Sequence, residues 1–114
     1  MKFTYAIKFV ADMDRAVAFY RDTMGLSLKF ASPSWSEFAT GETTLALHPA
    51  SPTNPAGTVE LGFSVPDLQQ FYEDKERAGI RFTMPPRKQD FGGLLAQFED
   101  SEGARCSVSG EGEL

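Results

Sequence analysis

Two segments of the chain read as one unit written twice. "VADMDRAVAFYRDTMGL", Val10 to Leu26, and "VPDLQQFYEDKERAGI", Val65 to Ile80, share a Val-x-Asp-(Met/Leu) opening and a Gly-(Leu/Ile) close. Asp12 and Asp67 stand 55 residues apart, Gly25 and Gly79 54, and Phe38 and Phe98 60. A spacing held over half the chain means a duplicated supersecondary unit, so the fold must build its core from two similar halves.

The order of elements within each half follows from local pattern. Phe3, Tyr5, Ile7 and Phe9 alternate with Thr4, Ala6, Lys8 and Val10, which predicts a first strand over residues 2 to 11. Asp12 caps a helix whose stripe is Met13, Ala16, Val17, Tyr20 and Met24, and Gly25 stops it. "GLSLKFA", "SWSEFAT" and "TTLALH" then read as three short strands separated by turns at Ser32-Pro33-Ser34 and Thr40-Gly41-Glu42. "PASPTNPAG", with Pro49, Pro52 and Pro55, is expected to hold no regular element and to link the halves. The second half repeats the order. "TVELGFSV" is a strand, and Asp67 opens a helix with Gln70 placed for a capping box and Leu68, Phe71, Tyr72 and Ala78 as its stripe. "IRFTM", a loop "PPRKQDFGG", "LLAQFED" and "ARCSVS" complete it.

Composition narrows the partners. At 114 residues, with 41% apolar and 24% charged residues, the chain suits one soluble domain. Its net charge of −5 would repel a phosphate backbone, so nucleic acid is not expected as a partner. No apolar run reaches the ~20 residues of a membrane span, and the start "MKFTYAIKFVADMD" carries acids where a signal peptide would be continuously apolar. A cytoplasmic location and no membrane partner are therefore expected. The single cysteine, Cys106, lies in an alternating segment and reads as a structural, half-buried thiol.

These residues resemble the vicinal oxygen chelate superfamily, which includes glyoxalase I, bleomycin-resistance proteins, methylmalonyl-CoA epimerase and extradiol dioxygenases. "IKFVADMDRAVAFYRDTMGLSLKF" is similar to the opening of the family's first module. "GLLAQFEDSEGARCSV" is similar to its closing segment, with Ser101 where the family has a proline. The resemblance implies an α+β, glyoxalase-like fold: two βαβββ modules, here 1–48 and 58–110 with linker 49–57, forming a cup-shaped mixed sheet. It also implies a homodimer in which modules of two chains complete each cup, an arrangement that would cover the exposed edges of a four-stranded half.

In metal-dependent members, four strand positions facing the cup hold one divalent metal through His, Gln or Glu. The first lies seven residues before the helix-opening aspartate, which here is Tyr5, and its second-module counterpart is Glu60. The last-strand position, four residues after the turn glycine Gly103, is Ser107. The remaining position falls on Ala46, with His48 two residues on along the same face. Serine is a poor ligand for such metals, and a tyrosine must first give up its proton. The expectation is thus a cup without an intact metal site and with no cofactor. The alternative is one divalent ion such as Ni or Zn held by Glu60, His48 and perhaps Tyr5 across two subunits.

Two functions follow. The first is a binder, similar to the bleomycin-resistance branch, that takes a planar or cationic small molecule between Tyr5, Trp35 and Phe91, with Phe9 and Ser107 also lining the pocket and Glu60 opposing positive charge. The second is a glyoxalase-like lyase or isomerase abstracting a proton next to a carbonyl, with Glu60 and His48 as the catalytic candidates. For each of these two residues a plainer role stands beside the catalytic one. Glu60 can pair with an arginine or sit solvated at the rim, and His48, the one histidine, can be a solvated ring ahead of Pro49.

Overall fold

A computed structural model of the chain describes residues 1–90 and 92–111. The elements run β1 Lys2–Val10, α1 Met13–Ala18, a π-helical turn Phe19–Thr23, β2 Ser27–Phe30, β3 Ser36–Ala39 and β4 Thr44–Pro49. They continue with β5 Val59–Asp67, α2 Leu68–Arg77, β6 Phe82–Lys88, β7 Leu94–Glu99 and β8 Arg105–Glu111. The fold is α+β and glyoxalase-like, and it divides into two compact units: Thr4–Val59, and Met1–Phe3 together with the chain from Glu60 onward.

The Thr4–Val59 unit is βαβββ. Its strands lie in the order β2-β3-β4-β1, with β1 parallel to β4 and β3 antiparallel to both of its neighbours. A parallel pair needs a crossover, and α1 is part of it. The helix presses Val17 onto Phe38 and Leu47, all three buried, with Tyr20, Leu26, Leu28 and Leu45 around them. The other unit has the same plan, β5-β8-β7-β6, with β5 parallel to β8. There Leu68 of α2 packs on Leu94, Ala96, Phe98, Cys106 and Val108.

The duplication extends to backbone angles. Asp12 (φ −139, ψ 107) and Asp67 (φ −132, ψ 99) are both N-caps, accepting from Arg15 N–H at 3.0 Å and Gln70 N–H at 3.1 Å. Gly79 ends α2 at φ 100, where its N–H donates to the Glu76 carbonyl and that of Ile80 to the Lys75 carbonyl, a Schellman arrangement.

Several local expectations change. Gln70 does not close a capping box, because its amide donates forward to Asp74 at 2.9 Å. The first helix stops being α-helical at Ala18. The Met24 N–H bonds to the Phe19 carbonyl five residues back, and the added residue turns Met24 off the apolar stripe, leaving it 57% exposed. The expected loop "PPRKQDFGG" is half strand, since β6 continues through Pro85 and Pro86 to Lys88. β6 is the last strand in its order, and its register against β7 shifts between Met84 and Arg87, so the prolines fall where a ladder donor is not needed. Residues 49–57 are tied to β1: Ala50 N–H donates to the Val10 carbonyl at 2.8 Å, Gly57 N–H to that of Phe9 at 2.9 Å, and Lys8 Nζ to that of Gly57 at 2.8 Å. Among the described residues no helix is long and apolar enough to cross a membrane.

Candidate functional site

Each strand sorts its residues between two faces, and in the Thr4–Val59 unit the pairing fixes which ones meet. Ile7 pairs with Ala46, Phe9 with His48 and Glu37 with Ala46, so these five residues share the face opposite the Phe38–Leu47 core. Ile7, Phe9 and Ala46 are buried there as a second apolar cluster, with Tyr5 and Trp35 packed against it. Rings complete the surface. Trp35 meets Tyr5 edge-on at 6.1 Å and His48 edge-on at 6.1 Å, and Phe9 meets His48 at 5.5 Å. Tyr5, Trp35 and His48 are each only half-buried.

Four sequence candidates, Tyr5, Phe9, Trp35 and His48, are therefore brought together within one unit. His48 Nδ1 lies 2.8 Å from the Pro49 carbonyl oxygen. With the proton on Nδ1 the ring donates to that oxygen.

Glu37 is the residue the sequence reading passed over. It is 8% exposed and sits in the middle of this face, where Trp35 Nε1 donates to its Oε2 at 2.7 Å. Lys29 Nζ stands 3.4 Å from Oε1, on a side chain 48% exposed. The signal was present in "SWSEF", because two residues along a strand is one full period and Trp35 and Glu37 must share a face.

The other sequence candidates belong to the other unit. Gly62 pairs with Ser107, so Glu60 and Ser107 share a face with Arg105. Glu60 is 7% exposed, and Arg105 Nε donates to its Oε1 at 2.7 Å. Ser107 is buried beside Gln97. Cys106, on the opposite face, is 3% exposed in the core, deeper than the half-burial expected of it. Burial, then the negative charges of Asp100 and Glu60, pushes its thiol above the ordinary range. Phe91 lies outside the described residues.

The superfamily's divalent metal can be tested against these donors. Ala46 offers none, and Glu37 already accepts from Trp35 beside the ammonium of Lys29. In the other unit Glu60 is held by Arg105, with a serine hydroxyl as its neighbour on that face. Among the described residues no three His, Cys, Asp or Glu side chains gather into a possible metal set. The donors within each unit fall short of a glyoxalase-type site.

Comparison with solved structures places this architecture. A structure described as NAD-dependent benzaldehyde dehydrogenase from Legionella pneumophila is similar at TM-score 0.75 and 18% identity, covering 94% of this chain and 97% of that one. A hypothetical protein from Bacillus halodurans is similar at TM-score 0.80 and 15% identity, covering 99% and 96%. A methylmalonyl-CoA epimerase variant from Streptomyces coelicolor, in complex with 2-nitronate-propionyl-CoA, is similar at TM-score 0.79 and 16% identity, covering 97% and 94%. At such identities the likeness is one of fold, and the differing descriptions show how little of activity the fold carries. A search of curated proteins by sequence gives no match. The family model described as Glyoxalase/Bleomycin resistance protein/Dioxygenase superfamily matches residues 2–108, and with the doubled βαβββ plan that match makes the chain a member of this superfamily.

Proposed function

We propose that the protein binds a small molecule with a flat, aromatic body on the Tyr5–Phe9–Trp35–His48 face of its Thr4–Val59 unit, and that binding needs no divalent metal. The observation that carries this reading is the half-buried ring cluster laid over Ile7, Phe9 and Ala46. The sheet already has a hydrophobic core on its opposite face, so a second apolar face is not required for folding of the unit. Concave or open faces lined by aromatic groups around a few fixed polar atoms are the usual form of small-molecule sites.

Metal independence is supported by the donor chemistry of the four family positions, in which an alanine and a serine replace ligands. A lyase or isomerase mechanism with Glu60 as its base is disfavoured, because that carboxylate is held by Arg105 at 2.7 Å. In this reading Glu60 is a structural partner of Arg105, and His48 is a wall of the ligand face.

A thermal-melting panel tests the proposal: aryl alcohols, aryl amines and aryl carboxylates, each in excess EDTA, against wild type and Trp35→Ala. At least one class should raise the wild-type melting temperature and leave that of the variant unchanged. No shift in the wild type, or equal shifts in both proteins, would overturn the reading.

A further inference from the structure

Glu37 is an unusual group for an aromatic face. A carboxylate 8% exposed, beside Ile7, Ala46 and Trp35, is costly to desolvate unless its charge is opposed. Its two oxygens are treated differently. Oε2 takes a short hydrogen bond from the indole N–H of Trp35 at 2.7 Å, which fixes the carboxylate's orientation. Oε1 meets the Lys29 ammonium at 3.4 Å, long for a charged hydrogen bond and at the end of a side chain 48% exposed. Such a half-solvated lysine pair contributes little, and the flexible stem lets it leave at small cost. The contrast with Glu60 is direct, since there the arginine is bonded at 2.7 Å and is less exposed, at 36%.

We propose that Glu37 anchors the ammonium group of a primary amine that carries an aromatic body, and that Lys29 occupies the amine's place when the site is empty. The inference rests on the ring face being the ligand site, and it adds the ligand's chemical class. The aromatic body lies against Tyr5, Trp35 and His48, and its ammonium replaces Lys29 Nζ at Oε1. A net charge of −5 favours the approach of a cation. The site rejects aryl carboxylates, because Glu37 repels them and, among the described residues, the displaceable Lys29 is the cation that opposes Glu37.

Trp35 is the one tryptophan of the chain, so its fluorescence reports the site directly. The probes are 2-phenylethylamine, 2-phenylethanol and 3-phenylpropionate, titrated at neutral pH and low salt. The amine should bind about tenfold more tightly than the alcohol, and the carboxylate weakest. Lys29→Met should strengthen the amine several-fold and leave the alcohol unchanged, because only the amine competes with the lysine. Glu37→Gln keeps an acceptor for Trp35 and should bring amine and alcohol to equal affinity, with both still bound. Equal binding of amine and alcohol by the wild type, or no gain for the amine in Lys29→Met, overturns the ammonium inference and leaves the ring face as a ligand site. No fluorescence response to any of the three probes overturns both.

Discussion

Arg105 makes a carboxylate tolerable at Glu60. With Glu60 7% exposed and the Arg105 Nε at 2.7 Å, removing the arginine leaves a nearly buried charge unopposed. Such losses cost about 3–5 kcal/mol in a fully buried pair, and with Arg105 36% exposed we expect about 1–3 kcal/mol for Arg105→Ala in urea unfolding. Glu60→Gln keeps an oxygen to accept from Nε and should cost less. Equal losses in the two variants would mean that the charge is not what matters. Cys106 gives a pH signature of its own. Burial, with Asp100 and Glu60 adding to it, raises its thiol above the ordinary 9.0, so as pH rises the unfolded chain gives up this proton first. The thiol's contribution to stability is therefore whole below the unfolded value and falls as pH climbs through the folded one. Relative to Cys106→Ala, the wild type should lose stability as pH rises from about 8.5 upward. A difference constant across that range would contradict the assignment. The partners of these residues were not legible in the sequence, because a parallel pairing of β5 with β8 brings together groups 45 positions apart. Glu37 was legible, through the strand period that ties it to Trp35.

Elements show why duplication was easy to read and their ends were not. N-caps are local, so Asp12 and Asp67 announced both helices, and their nearly equal backbone angles preserve the repeat. The π-helical turn Phe19–Thr23 left no mark in a stripe that fits a 3.6-residue period, because the packing of Tyr20 and Leu26 against Phe38 and Leu47 decides where the chain turns. Pro85 and Pro86 read as loop, since proline removes a ladder donor, and only the position of β6 at the end of its strand order makes them compatible with a strand. Gly110 shows a close fit between two elements. A Cβ there would stand 2.5 Å from the Val65 carbonyl oxygen and 3.2 Å from Leu68 Cβ, so β8 could not keep its register with β5. Gly110→Ala should cost about 1–3 kcal/mol, seen as a melting temperature lower by several degrees. An unchanged melt would show that the two strands have slack.

At the scale of the molecule, the superfamily fold is retained, and we propose that the residues at its metal positions have changed character. By the resemblance, the ligand positions of metal-dependent members fall on Tyr5, Ala46 or His48, Glu60 and Ser107, and the Thr4–Val59 face presents aromatic rings with one buried carboxylate. The repeat fixed the fold from sequence because its spacings are properties of the chain. The contents of the site depended on which strands pair and on where Lys29 and Arg105 reach, and these are properties of the folded sheet. Metal independence is tested most directly by equilibrating the purified protein with Ni²⁺, Zn²⁺ and Mn²⁺ in turn, then measuring bound metal and melting temperature for wild type and Glu60→Ala. We expect no stoichiometric metal and no metal-dependent shift in either protein. One tightly bound ion per chain that raises the wild-type melting temperature and is lost in Glu60→Ala would contradict a ligand face that works without metal.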